Sequence, residues 1–153
     1  MRKIPSLIIL IGLPGAGKST FYQRMFFNTH IRINLDMLKT RNREMEILET
    51  CLNTDQSVVI DNTNVRVSDR ERYICRGKEM GFRIEGYFIN SPVDICLVHN
   101  EKRPVDEQVP KAAIFSKKKE LIFPSMDEGF ESLHFVKIDN SGNFLVEAWK
   151  NEV

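Results

Sequence analysis

The chain has 153 residues, of which 42% are hydrophobic and 28% charged, and 22 basic residues nearly balance 21 acidic ones to give a formal net charge of +1. This composition is typical of a folded globular domain and excludes disordered, fibrous and membrane-embedded classes. The near-neutral charge neither supports nor excludes a polyanionic partner, because any basic surface would have to be local. We expect a single domain over residues 1–153.

The three cysteines, at positions 51, 75 and 96, lie far apart and form no C-x-x-C pair. This spacing argues against a disulfide framework and against a zinc site, so we expect a reducing, cytoplasmic location. The apolar run after the N-terminus is too short for a signal peptide, and no stretch approaches the roughly 20 residues that cross a bilayer. We therefore expect no membrane partner.

Strands and helices alternate along the predicted chain. Residues 6–11, SLIILI, form a continuous apolar run that is typical of a strand buried on both faces of a parallel sheet. Ser68 and Glu71 have the spacing of a capping box, which predicts the start of a helix. In chain order we predict strands at 6–11, 30–34, 57–61, 83–90, 133–139 and 144–149, and helices at 18–27, 41–53, 68–80, 92–99 and 111–122.

This alternation predicts a doubly wound α/β fold, with a mostly parallel central sheet and helices on both faces. Residues 103–110 are polar and bracketed by two prolines, so we expect a mobile loop that serves as a small lid. A turn at 140–143 should join the last two strands.

A phosphate-binding loop follows the first strand. Residues 12–19, GLPGAGKS, match G-x-x-x-x-G-K-[ST] between a predicted strand and a predicted helix, which is the context the motif requires. In such loops the backbone N–H groups surround phosphate, the lysine reaches the β- and γ-phosphates, and the serine binds Mg²⁺. The alternative is a glycine-rich turn with an exposed lysine. We expect ATP to contact Gly12, Pro14, Gly15, Ala16, Gly17, Lys18, Ser19 and Thr20.

Asp36 follows the second predicted strand, where the carboxyl ends of parallel strands form the ligand crevice. A carboxylate there can accept the proton of a hydroxyl that attacks the γ-phosphate. The alternative is that Asp36 caps the next helix. Lys39, one turn later, could hold an acceptor phosphate, although a solvated lysine is the commoner case.

The third strand ends in Asp61-Asn62-Thr63-Asn64, where P-loop proteins often carry a carboxylate near Mg²⁺ and its waters. A merely polar turn would look similar. Arg66 and Arg70 begin the next helix near the crevice; most such arginines are solvated, but one or two could reach phosphates of an acceptor.

These segments together resemble the kinase domain of the polynucleotide 5′-kinases, within the P-loop kinase superfamily. The resemblance runs from about residue 7 to 130 and rests on GLPGAGKST, INLD at Asp36, VVIDNTN, the R-x-R-Y stretch from Arg70, and HNEKR before Val109-Pro110. The loop motif alone is shared by many kinases, whereas the D-N-T-N turn followed by R-x-R-Y is much more specific.

The resemblance implies transfer of phosphate from ATP, with Mg²⁺, to the 5′-hydroxyl end of DNA or RNA. It implies that Asp36 is the general base and Arg103 a lid arginine on the phosphates. Lys39 stands where some members have an arginine that grips a 3′-phosphate, and this change keeps the charge but loses the bidentate fork. The acidic residue of the D-N-T-N turn also varies in position among members. We expect the acceptor to contact Asp36, Lys39, Asp61, Thr63, Asn64, Arg66 and Arg70.

The chain contains no D-x-D-x-T/V motif, so we expect no phosphatase activity.

Two other functions remain open. A small-molecule or nucleoside kinase would also suit a short, near-neutral chain. A nucleotide-dependent switch is a different class, but it has no need of a base such as Asp36 aimed at an acceptor.

Overall fold

The computed structural model describes residues 3–150, and its central feature is one six-stranded sheet with the strand order β2-β3-β1-β4-β5-β6. The strands are β1 Ser6–Ile11, β2 Ile31–Ile33, β3 Val58–Ile60, β4 Arg83–Ile89, β5 Ser132–Ile138 and β6 Phe144–Ala148. The helices are α1 Lys18–Met25, α2 Leu35–Leu38, α3 Arg41–Asn53, α4 Val67–Glu79, α5 Val93–Glu101 and α6 Lys111–Glu120, with short 3₁₀ turns at Val105–Glu107 and Met126–Glu128.

The strand β1 lies at the centre of the sheet and pairs in parallel with β3 on one side and β4 on the other. The strands β2 and β5 extend the parallel sheet, and β6 alone is antiparallel, as the partner of β5. Chain order therefore reverses at β1, which puts the ligand crevice at the carboxyl end of that strand. The predicted doubly wound fold is confirmed.

The side chains of β1 alternate between two buried layers. Leu7, Ile9 and Ile11 pack in the layer covered by α3 and α4, while Ile8 and Leu10 pack in the layer with α1, α5 and α6. Burial on both faces explains why this strand is an unbroken apolar run. None of the helices in residues 3–150 is both long and apolar enough to cross a membrane.

One predicted helix start was wrong, and one short helix was not predicted. The helix α4 begins one residue earlier than predicted, because the carboxylate of Asp69 accepts from the Arg66 N–H at 3.1 Å, and the expected Ser68–Glu71 capping box does not form. The short helix α2 was not predicted, and its cap is Asn34, whose side chain accepts from the Met37 N–H. The alternative role of Asp36 as a helix cap is therefore excluded.

Arg70 is fully buried and ties three segments together. Its Nε and Nη2 donate to the two carboxylate oxygens of Glu128 at 2.7 and 3.0 Å, and its Nη1 donates to the Asn64 carbonyl at 2.9 Å. The expectation that Arg70 contacts an acceptor is wrong, because the guanidinium is occupied by these partners inside the protein.

Replacing Glu128 with Ala should lower the free energy of unfolding by about 3–5 kcal/mol, because it would leave the buried Arg70 charge without its carboxylate. Urea unfolding monitored by circular dichroism measures the change. Glu79→Ala is the matched control, since Glu79 is 65% exposed and pairs with Arg76 at the surface; it should barely move the urea midpoint. Equal midpoints for the two variants would contradict a stabilising role of the buried pair.

Candidate nucleotide and acceptor site

The loop between β1 and α1 has glycines at three positions where a side chain would be strained or crowded. Gly15 and Gly17 have φ values of +82° and +107°, in the left-handed region. A Cβ atom at Gly15 would also lie 2.5 Å from the Cys96 carbonyl oxygen, and one at Gly12 would lie 3.0 Å from the Ile89 carbonyl oxygen. The loop is therefore packed closely against β4 and α5, with no room for a side chain at Gly15 and little at Gly12.

Lys18 is buried beneath the loop, with 8% of its surface exposed, and its Nζ donates to the carbonyls of Gly12 at 3.0 Å and Leu13 at 2.8 Å. This position excludes the alternative of a glycine-rich turn with an exposed lysine. Burial lowers the pKa of the ammonium from 10.5 to about 8; Asp61 and Asp36 act to raise this pKa, and Arg103 acts to lower it further. These three side chains thus lie within electrostatic reach of Lys18.

The next two carbonyls of the loop also have partners outside it. The Nδ1 of His99 lies 2.8 Å from the Gly15 oxygen, and this ring nitrogen carries the proton because a carbonyl only accepts. The Ser91 hydroxyl donates to the Ala16 oxygen at 2.8 Å. The peptides whose oxygens are held by Lys18 and Ser91 present the N–H groups of Leu13 and Gly17 on their other side, as anion binding requires, whereas the N–H groups of Gly12 and Ala16 donate to the Thr63 and Leu13 carbonyls. Sequence analysis assigned no role to His99 or Ser91, because neither belongs to the GLPGAGKS motif.

Ser19 begins a polar cluster at the carboxyl ends of β2 and β3. Its hydroxyl donates to Asp61 Oδ2 at 2.9 Å, and the Arg32 guanidinium donates to the same carboxylate oxygen at 2.7 Å and to the Ser19 oxygen at 3.1 Å. Asp61 is only 2% exposed, whereas Arg32 is partly open to solvent. The structure brings the two predicted metal-binding residues together and adds Arg32, which sequence analysis did not identify.

Asp36 is exposed on α2, one helix position after Leu35, and it lies close enough to affect the pKa of Lys18. The preceding Asn34 fixes the start of α2 by donating from its side-chain amide to the Asp61 carbonyl. The carboxylate of Asp36 is thereby held at the same edge of the sheet as the phosphate-binding loop. Its solvent-facing position suits a group that must meet an incoming acceptor.

Lys39 ends α2 with a φ of +75°, which is rare for a residue with a side chain, and its own side chain is exposed. Its N–H donates to the Leu35 carbonyl at 2.7 Å, which closes the single turn of the helix. The chain turns sharply here, so Lys39 lies next to Asp36 at the open edge of the site rather than continuing a longer helix.

The predicted lid, residues 103–110, begins at Arg103, which lines a cavity of about 350 Å³ beside the phosphate-binding loop. The cavity is also lined by Gly15, Gly17, Thr20, His99, Lys102, Ile138, Gly142 and Phe144. A space of this size and mixed lining suits a nucleoside. Sequence analysis anticipated Arg103 and Thr20, but it missed the wall formed by the β5–β6 hairpin, which is distant in sequence.

The lid is anchored at its base. The Asn100 side chain donates to the Val109 carbonyl at 2.8 Å and accepts from the Val109 N–H at 3.0 Å, so the segment between them is closed like a loop on a stem. Within it, the 3₁₀ turn at Val105–Glu107 interrupts the predicted irregular loop. Any movement of Arg103 would thus pivot at residues 100 and 109.

Three further residues predicted to meet the acceptor have partners elsewhere in the protein. Asn64 is 3% exposed and its side-chain amide donates to the Leu10 carbonyl at 2.8 Å, so its predicted contact with an acceptor is wrong. The Thr63 carbonyl accepts from the Gly12 N–H at 3.0 Å, which joins the turn to the phosphate-binding loop. Arg66 is exposed but forms an ion pair with Glu120 at 2.8 Å.

Residues 7–122 match the protein family described as AAA domain. The chain is 29% identical over 134 residues to a bifunctional polynucleotide phosphatase/kinase of Schizosaccharomyces pombe, covering 85% of this chain and 33% of that protein. It is 30% identical over 137 residues to a putative bifunctional polynucleotide phosphatase/kinase of Acanthamoeba polyphaga mimivirus, covering 85% and 32%. The chain spans about a third of the length of these relatives. The resemblance drawn from the motifs is confirmed.

Solved structures share the fold at low sequence identity. AvrRxo1-ORF1:-ORF2 with ATP superposes with a TM-score of 0.71 at 16% identity, covering 94% of this chain and 57% of the other. A fungal RNA kinase gives 0.64 at 16% identity, covering 91% and 40%. A gluconokinase from Sinorhizobium meliloti 1021 gives 0.59 at 16% identity, covering 89% and 84%. The same architecture therefore occurs in proteins with different acceptors.

The lowered pKa of Lys18 predicts that nucleotide affinity depends on pH. Phosphate oxygens favour the charged ammonium, so binding of ADP above pH 8 must be accompanied by uptake of a proton. We expect the affinity for ADP to be constant below the free-protein pKa of about 8 and to fall about tenfold per pH unit above it.

Isothermal titration of ADP from pH 7 to 9.5, in buffers of different ionisation enthalpy, measures both the affinity and the proton uptake. Lys18→Arg is the control, because a guanidinium stays charged throughout this range and should remove the pH dependence. A wild-type affinity that does not change up to pH 9.5 would mean that the ammonium is not held at a lowered pKa.

Proposed function

The chain belongs to the AAA-domain family that residues 7–122 match, and from this membership we propose that it is a kinase that transfers the γ-phosphate of ATP to the 5′-hydroxyl end of a polynucleotide. The observation that carries this proposal is the exposed Asp36 carboxylate within electrostatic reach of Lys18, with Asn34 rather than Asp36 capping the helix. A nucleotide switch needs no such carboxylate. The names of the two curated relatives support the nucleic-acid acceptor.

On the donor side, the N–H groups of the loop, other than those of Gly12 and Ala16 that donate to protein carbonyls, would hold the β-phosphate together with the N-terminus of α1. Lys18 would leave the Gly12 and Leu13 carbonyls and donate to phosphate oxygens instead. Arg103, at the cavity wall, would meet the charge that develops on the transferred group. The cavity beside it would hold the nucleoside of ATP.

We propose that Ser19 and Asp61 hold Mg²⁺, the serine directly and the aspartate through water. Their oxygens lie 2.9 Å apart, and Arg32 donates to both, so the protein already holds a positive charge against these two oxygens. Within residues 3–150 no cluster of three or more His, Cys, Asp or Glu forms a metal site by itself, which fits a cation held chiefly by phosphates. The ion would neutralise charge on the β- and γ-phosphates.

On the acceptor side, the hydroxyl oxygen would form a bond to the γ-phosphorus while the bond from that phosphorus to the β,γ-bridging oxygen breaks, leaving ADP. Asp36 would take the hydroxyl proton, because its carboxylate is exposed and does not cap a helix. Lys39, at the same open edge, would hold a phosphate of the acceptor as a point charge.

One observation favours a small-molecule acceptor as the second candidate. Two of the arginines expected along a polymer track are engaged elsewhere, Arg66 with Glu120 and Arg70 with Glu128. The basic surface near Asp36 is therefore narrower than the sequence predicted. Purified protein with radiolabelled ATP, offered 5′-hydroxyl oligonucleotides beside nucleosides and small polyols, distinguishes the candidates by which acceptor gains label.

Arg32→Gln should lower the Mg²⁺ concentration needed for half-maximal nucleotide binding by about tenfold, because a charged hydrogen-bond partner no longer competes for Ser19 and Asp61. Fluorescence titration of a labelled ADP against Mg²⁺ measures this concentration. Arg43→Gln, an exposed arginine on α3, should leave it unchanged. A requirement that stays the same or rises in Arg32→Gln would show that Arg32 does not compete with the cation.

Asp36→Asn should reduce the turnover number by roughly 10²- to 10⁴-fold, because an amide cannot accept the hydroxyl proton. The free energy of unfolding should change by less than about 1 kcal/mol, since Asn34 supplies the cap. Steady-state kinetics and urea unfolding of the same preparation measure the two quantities. Asp127→Asn, at another exposed aspartate, is the control. Near-wild-type turnover in Asp36→Asn would remove the proposed base.

A further inference from the structure

A chain of buried polar groups lies behind α2, outside the residues assigned to the reaction. At its centre is Glu44 of α3, which is fully buried. Its Oε1 accepts from the Tyr73 hydroxyl at 2.7 Å and from Arg41 Nη1 at 2.9 Å, and its Oε2 accepts from the Asn62 side-chain amide at 3.0 Å. A buried carboxylate is costly unless it is fully hydrogen-bonded, so these three donors explain how it can be kept.

The network reaches the proposed base through a single hydrogen bond. The Oδ1 of Asn62 accepts from the Leu35 N–H at 2.9 Å, and Leu35 is the first residue of α2, directly before Asp36. A four-residue helix has too few internal hydrogen bonds to set its own orientation. The direction of α2 must therefore come from its contacts with the rest of the protein. The bond from Leu35 to Asn62 holds its start, and Leu38 at its end packs against the core.

We propose that Asn62, held by Glu44, is a positioning residue that fixes the orientation of α2 and thereby aims Asp36 at the acceptor hydroxyl. This inference rests on the proposed function, because it assigns Asp36 the role of base. In the proposed arrangement, Asn62 itself does not contact the reacting atoms. Its effect is transmitted through the Leu35 N–H.

The two neighbours of Asn62 require an amide at this position. The Leu35 N–H can only donate, and the ionised Glu44 carboxylate can only accept, so the amide must present its oxygen to the first and its nitrogen to the second. An aspartate of the same shape would satisfy Leu35 but would put a second carboxylate against Glu44. The pair could then coexist only by sharing a proton.

The Tyr73 phenol stays protonated and so continues to donate its hydrogen bond to Glu44. Burial, and next to it the Glu44 carboxylate, raise the pKa of the Tyr73 phenol to about 12, so the phenol remains a donor at any physiological pH. Arg41, which is half exposed, supplies the third donor from the solvent side. Both leave the second oxygen of Glu44 to Asn62.

The test exchanges the amide and the carboxylate. In Asn62→Asp the introduced carboxylate mimics the amide only while it carries a proton, so its turnover number relative to wild type should be near one at pH 5.5 and should fall about tenfold or more by pH 8.5. Adding Glu44→Gln moves the amide to the other side of the contact. The double variant should recover most of the wild-type turnover number at pH 8.5 and lose the added pH dependence.

ADP affinity separates a loss of positioning at Asp36 from general damage to the protein. Both variants should bind ADP within about twofold of wild type, since neither residue touches the phosphate-binding loop. Asn62→Asp with a wild-type turnover number at every pH would overturn the proposal. So would a loss that is equal at all pH values and is not restored by Glu44→Gln, because that pattern indicates only a weakened fold.

A second measurement does not depend on the acceptor. In ¹⁵N-labelled protein the Leu35 amide signal should titrate with pH in Asn62→Asp but not in wild type or in the double variant. If wild type phosphorylates no 5′-hydroxyl end, the proposed function fails, while the Leu35 signal still decides whether Asn62 controls the start of α2. A Leu35 signal that does not respond in Asn62→Asp would overturn the positioning role even in an active kinase.

Discussion

The hydrogen bonds made by the carbonyl groups of the phosphate-binding loop are the interaction on which the rest of the site depends. Four consecutive or nearly consecutive carbonyls, at residues 12, 13, 15 and 16, accept from Lys18, His99 and Ser91. A peptide whose oxygen is held on one side presents its N–H to the other, so the bonds to the Gly12 and Ala16 carbonyls orient the N–H groups of Leu13 and Gly17 for an anion, while the bonds to the Leu13 and Gly15 carbonyls fix the shape of the loop. Two of these donors come from outside the loop: His99 lies on α5, and Ser91 lies between β4 and α5.

Charge in the site is balanced locally rather than by the chain as a whole. Asp61, Arg103 and Asp36 all lie within electrostatic reach of Lys18, and Arg32 donates to the Asp61 carboxylate. A nearly neutral protein can thus concentrate ionised groups where a triphosphate would lie. Burial of the ammonium keeps its pKa low enough that binding and protonation become linked.

Arginine in this domain serves two different ends. Arg70 is buried with Glu128 and joins α4 to the turn after β3, so its bidentate geometry is used for architecture. Arg32, on a short strand at the edge of the sheet, is only partly buried and reaches the Ser19 and Asp61 oxygens. An arginine therefore cannot be assigned to phosphate binding from its position in the sequence alone. The proposed acceptor site keeps Asp36 and Lys39 but loses Arg70, which is buried with Glu128, while Arg66 is paired with Glu120 at the surface.

The sequence by itself determined the fold class, the strand containing residues 6–11, the phosphate-binding loop and the helix at 41–53, because each depends on local patterns: an apolar run, a glycine spacing, a polar amphipathic segment. It also brought Lys18, Ser19, Asp36, Asp61 and Arg103 forward as candidates, since the carboxyl ends of parallel strands meet at one edge. Only the tertiary structure decided which polar side chains face that edge. Asn64 and Arg70 turn inward, whereas Arg32 and Phe144 face the site from elements that no motif connects. The reason is that a side chain's partners are set by packing between segments far apart in the chain, such as Arg70 with Glu128 and Asn62 with Glu44, and local spacing carries no information about them.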